Sequence, residues 1–131
     1  MIIIKKLQSI LNNYADEYSL VGFSVGASII WMLSGNMPTE LSNRIKYAVC
    51  YYGAQIRYYT DVSPKFTIKC IFPRSELHFD VSILHNIIKM KDKVTSMQVN
   101  YRHGFMNTHS NNYDHIGFET HMAFLRQDLN L

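Results

Sequence analysis

The chain has 131 residues, of which 47% are apolar and 18% charged, and its 13 basic against 10 acidic side chains give a formal charge of +3. That length fits a single domain, residues 1–131, and the apolar share is enough for a real core, which excludes a disordered chain. The basic residues are scattered, with Lys5-Lys6 as long a run as any, so no nucleic-acid partner is expected.

Cys50 and Cys70 each lie inside an apolar run, and no Cys/His grouping has zinc-ligand spacing, so no metal is expected. Unpaired buried thiols suit a reducing cytosol, although the sequence alone leaves a disulfide between them open. Met1-Ile2-Ile3-Ile4 is too short for a signal-peptide core, and its charges, Lys5 and Lys6, follow the run instead of preceding it. No stretch approaches the roughly 18 apolar residues that a membrane span requires. The expectation is a cytoplasmic protein with no membrane partner.

In chain order, Ile4, Leu7, Ile10, Leu11 and Tyr14 recur at helical spacing and predict an amphipathic helix over residues 3–16. Tyr18 to Phe23 reads as a short buried strand. Ala27 to Leu33 reads as a helix closing at Ser34-Gly35-Asn36, where Gly or Asn would supply a left-handed cap before Pro38. Ile45 to Tyr52 and Phe66 to Phe72 are two further apolar strands, ended by Gly53 and Pro73. Val81, Leu84, Ile87 and Ile88 form a helical face, with Asp80 placed to cap it. Thr95 to Tyr101 alternates as a fourth strand, and Phe118, Met122, Leu125 and Leu129 mark a C-terminal helix. Strands alternating with helices predict an α/β domain with four parallel strands flanked by helices on both faces.

Chemistry enters at Gly22-Phe23-Ser24-Val25-Gly26. G-x-S-x-G is a nucleophile elbow where a strand turns sharply into a helix, so that the serine hydroxyl projects from the strand's C-terminal end. The motif lies between the first predicted strand and the second helix, which is that setting. Val25, opening the helix, would offer its backbone N–H to an oxyanion. A serine needs a base to be nucleophilic near neutrality. Of six histidines, His103 directly follows the fourth strand, and in a parallel sheet it shares the edge of Ser24. His85, His115 and His121 fall in helical stretches where packing explains them, and His109 sits in a polar loop. Glu76, after the third strand, is the preferred third member, with Asp80 as the competing acid. The order Ser24, Glu76, His103 is the nucleophile–acid–base order of α/β-hydrolases.

With the Cys50-Tyr51-Tyr52-Gly53 strand end, the acidic loop holding Glu76 and Phe79, and His103-Gly104-Phe105-Met106-Asn107 after the last strand, the chain resembles the dienelactone hydrolase family over nearly its whole length. The resemblance implies a cytosolic hydrolase cleaving a small ester or lactone through an acyl-enzyme, with no metal or organic cofactor. Three features depart from the family. Ser24 stands where the namesake has cysteine, Glu76 stands where aspartate is usual, and the strands that precede the elbow helix in the family have no counterpart here. The elbow strand is therefore expected to present an unpaired apolar edge, a template for pairing. It would be filled in a homodimer or by a chain supplying the missing strands. Two readings follow: a serine esterase or lactonase, or a catalytically impaired relative serving as a binding or assembly module.

Overall fold

The computed structural model describes residues 2–12 and 16–131; Tyr14, assigned above to the first helix, lies outside the described residues. The elements run α1 (Ile2–Asn12), β1 (Tyr18–Phe23), α2 (Val25–Asn36), α3 (Thr39–Ser42), β2 (Ile45–Tyr51), β3 (Ile68–Phe72), α4 (Val81–Ile88), β4 (Val94–Gln98) and α5 (His115–Asp128), with a 3₁₀ turn at Ala54–Tyr58 between β2 and β3. The four strands form one parallel sheet in the order β1-β2-β3-β4. Among the described residues no helix is long and apolar enough to cross a membrane.

The sheet order explains the layering. Each new strand is added on the same side of the last, so right-handed connections must all cross one face. That face carries the larger core: Ala48, Cys50, Ile68 and Cys70 from the strands meet Trp31 and Leu33 of α2 and Leu84 and Ile88 of α4. The segment between β2 and β3 joins the same layer through Ile56 and Phe66. α5 comes after the last strand and packs on the opposite face, where Val49, Tyr51 and Ile71 meet Phe105, Met106 and Leu125. Cys50 and Cys70 are register partners in β2 and β3, both buried as free thiols.

Several boundaries differ from the sequence expectation. α2 does not end in a left-handed Gly35–Asn36 cap; both residues are helical, and Met37 leaves the helix extended at φ −75°, ψ 144°. Pro38 forces that exit, because its ring disfavours helical backbone in the residue before it. Gly35 serves packing instead, since a Cβ there would stand 2.8 Å from a Val62 methyl. β4 stops at Gln98 instead of Tyr101, and β3 starts at Ile68 instead of Phe66. β2 also ends one residue before the expected Tyr52.

β1 is an edge strand of this sheet, as expected. α1 lies against the α2 side of the sheet through Leu7 and Leu11, but a helix cannot continue the strand ladder. A groove of about 370 Å³ runs between Ile10 of α1 and Ile29 and Ile30 of α2, floored by Leu20, Val21 and Gly22.

Candidate active site

At the junction of β1 and α2, Ser24 has φ 55° and ψ −117°. A positive φ is costly for a residue with a Cβ, of order 1–3 kcal/mol, and persists only where the surroundings impose it. Here Ser24 N–H donates to the Tyr51 carbonyl at 2.9 Å, and Ser28 N–H donates to the Ser24 carbonyl at 3.1 Å. The turn is tight enough that a Cβ on Gly22 would fall 2.7 Å from the Gly26 carbonyl carbon and oxygen. Gly26 faces open space, so close approach requires only the first of the two flanking glycines.

The other two residues arrive from the far side of the sheet. Beyond the last paired strand residues the β3–β4 ladder continues, with Val99 N–H donating to Phe72 at 2.9 Å and Arg74 N–H to Tyr101 at 2.8 Å. These bonds hold the loop after β3, with Glu76, beside the loop after β4, with His103. His103 then turns back through Gly104 at φ 89°, a left-handed position that suits glycine. Its backbone carbonyl accepts from Asn112 Nδ2 at 2.9 Å.

Ser24 Oγ lies 3.0 Å from His103 Nε2, and His103 Nδ1 lies 2.7 Å from Glu76 Oε1. An ionised carboxylate can only accept. His103 therefore donates from Nδ1 to Glu76, leaving Nε2 to accept from the serine. Asp80, the competing acid, is turned away: its carboxylate takes Ser82 N–H at 2.9 Å and Ser82 Oγ at 2.6 Å, capping α4. Those bonds from Ser82 hold its carboxyl below the usual range.

Val25 is the first residue of α2, where a backbone N–H has no partner within its helix. The remaining histidines stand elsewhere. His121 is buried with Nδ1 at 3.2 Å from the Tyr51 hydroxyl, and burial, helped by Lys69, lowers its pKa. His85 pairs with Ser96 at 2.7 Å and is lowered by burial and by Lys89. His109 and His115 are exposed.

A cleft of about 610 Å³ opens over Ser24 and His103, walled by Phe23, Tyr52, Met106, Asn107 and Phe118. A second groove of about 450 Å³ lies on the outer side of His103, lined by Glu76, Leu77, His78, Arg102 and Asn112. Sequence reasoning did not assign roles to Asn112 or Tyr52. The run Ser110-Asn111-Asn112 marks only a turn, and Tyr52 is indistinguishable from Tyr51 until the backbone is traced.

No family model matches the chain. The crystal structure of a candidate dienelactone hydrolase from Klebsiella pneumoniae subsp. pneumoniae superposes on 95% of this chain and 59% of its own, with a TM-score of 0.73 and 12% sequence identity. The two chains share a fold over that span. In sequence, the chain is 37% identical over 109 residues to YczH of Bacillus subtilis (strain 168), a protein described as uncharacterized. That match takes in 79% of this chain and 50% of YczH, so the chain spans about half the length of the curated relative it matches.

Proposed function

We propose that this chain is a serine hydrolase of the dienelactone hydrolase type, cleaving a small ester or lactone through an acyl-enzyme. The observation that carries the reading is the connected run Ser24 Oγ–His103 Nε2–Nδ1–Glu76 Oε1, at 3.0 and 2.7 Å, beginning on a strained elbow. In this reading His103 Nε2 takes the Ser24 proton as Oγ attacks the ester carbonyl. The tetrahedral oxyanion takes the Val25 N–H. His103 passes its proton to the leaving alkoxide oxygen as the ester bond breaks, giving acyl-Ser24 and an alcohol. Water, deprotonated by the same nitrogen, then attacks the acyl carbon and releases the acid and Ser24. Glu76 holds the ring in the required tautomer and stabilises the imidazolium that forms twice. The steps use no metal or organic cofactor.

Hydrolysis of p-nitrophenyl acetate tests the proposal: saturable turnover is expected, falling to the buffer rate in Ser24→Ala and by orders of magnitude in His103→Ala. Turnover that survives Ser24→Ala unchanged would overturn it.

The open edge of β1 favours a second element of the reading. Its backbone groups want a further strand, and a second oxyanion donor would come with it. We propose that this strand belongs to a second copy of the chain in a homodimer, or to a chain supplying the strands that the family resemblance implies. An isolated chain with one donor would be slowed by about 10²–10³, and at that limit it acts as a binding or assembly module instead of an enzyme. Two adjacent, unbridged thiols fit a reducing cytoplasm as its setting.

A further inference from the structure

Tyr52 has three features that the hydrogen-bonded run through His103 does not explain. It is a bulky residue at φ 42°, where left-handed backbone is rare for such side chains. It is 3% exposed although it walls the cleft. Its ring centroid stands 4.8 Å from that of His103, with the planes inclined at 46°. The strained position is held from both ends, by Tyr52 N–H donating to the Ile71 carbonyl at 2.7 Å and by an edge contact of the ring with Phe105 at 5.7 Å. Backbone strain maintained in this way at a cleft points to a side chain whose placement matters.

We propose that Tyr52 is a positioning residue for His103: its ring backs the imidazole between Ser24 and Glu76, and its π-face favours the imidazolium over the neutral ring. The proposal rests on His103 acting as the base. The physics is that of a cation held within about 6 Å of an aromatic centroid. The other titratable or polar groups beside His103 are the Ser24 hydroxyl and the Glu76 carboxylate, each hydrogen-bonded to the ring, and Arg102 and His78, which line the outer groove with it. Tyr52 itself stays neutral, because burial pushes its phenol up against the smaller opposite pull of the Met106 backbone N–H. The ring face does the work, and the hydroxyl is dispensable.

NMR titration of the His103 ring in the intact chain reads this directly and needs no turnover. Tyr52→Phe leaves the His103 midpoint within about 0.2 unit of the parent. Tyr52→Leu lowers it by about 0.4–0.7 unit, the size expected of a half-exposed cation–π contact. Tyr52→Asn, which tolerates a positive φ, gives the same downward shift if the leucine variant folds poorly. On p-nitrophenyl acetate, Tyr52→Leu lowers kcat about three- to tenfold, more than it changes KM, and the loss in Tyr52→Phe is clearly the smaller of the two. An unmoved midpoint in both ring-deleted variants, or an equal shift in Tyr52→Phe, overturns the proposal. Absence of any Ser24-dependent turnover would instead overturn the hydrolase reading and leave the titration as an independent measure of the contact.

Discussion

β1 and β2 are neighbouring strands of similar apolar content, YSLVGF and IKYAVCY, and both end beneath the same cleft. They differ in what surrounds them. β2 has a paired strand on each side, α2 over one face and α5 over the other, and Val49 and Tyr51 are wholly buried. β1 has one paired neighbour, and on the α5 side it is left open among the described residues: Val21 is 37% and Phe23 41% exposed. Ser24 therefore follows an open edge strand, while His103 leans on the enclosed middle of the sheet through Tyr52. Burial of an apolar strand is conferred by its neighbours and not by its own residues.

Paired substitutions can break that comparison. Phe23 and Tyr51 stack at 5.2 Å, yet removing them should differ greatly. Tyr51→Ala empties a core site and strands the buried His121 nitrogen, at a cost of about 3–5 kcal/mol in urea unfolding. Phe23→Ala, half in solvent, should cost about 1 kcal/mol or less. Equal costs would mean that something covers β1 in solution.

The two elbow glycines sharpen the contrast further. Gly22→Ala drives a Cβ into the Gly26 backbone and should destabilise by about 1–3 kcal/mol. Gly26→Ala meets open space and, in the first turns of α2, should be neutral or stabilising by up to about 1 kcal/mol. Thermal unfolding of the two variants checks the order, which reverses if a further strand or helix normally packs at Gly26.

pH tests the enclosed side. Burial, with a smaller contribution from Lys69, holds His121 below its ordinary value of 6.5, so the unfolded chain takes up the proton first. Stability is then unaffected by this group well above 6.5. It falls as the pH drops from 6.5 towards the depressed native value. His85 contributes with the same sign. Urea midpoints measured across this range should decline towards acid, and His121→Phe should flatten the slope even if its baseline stability is lower. An unchanged slope would place the sensitivity elsewhere.

The smallest effect on stability is expected at the open edge. Val21→Lys should change it by no more than about 0.5 kcal/mol. A charge there should oppose edge pairing, so sedimentation velocity over a concentration series should show association in the parent and monomer in the variant. A parent that stays monomeric throughout would remove the homodimer from the proposal.

Legibility in the sequence followed the range of the interactions involved. The elbow could be read because it is local: a strand, G-x-S-x-G and a helix in succession constrain one another within a few residues, and Ser24 takes the strained conformation that pattern demands. His103 could be placed at the same edge because parallel strands all open their C-terminal loops on one side. The edge position of β1 was implied by the resemblance to the dienelactone hydrolase family, in which further strands precede the elbow, and by no local pattern. By contrast, Gly35 was misread as a cap, because whether a glycine ends a helix or admits a neighbour such as Val62 depends on a chain segment far away in sequence.

The sequence already preferred Glu76 to Asp80, which is placed to cap the following helix, but the contact itself belonged to tertiary structure. Both follow β3, and both carry a carboxylate. The ladder bond from Arg74 to Tyr101 carries the loop across to His103 just before Glu76, while Asp80 is already committed to Ser82 at the start of α4. The contact of Tyr52 with His103 was decided in the same way, by a left-handed backbone that no local pattern announces. Residue type and spacing determined which chemistry could occur in this chain. Which side chains meet was set by bonds between strands and loops distant in sequence, since hydrogen bonds and ring contacts act over a few ångströms and only the folded sheet brings those loops that close.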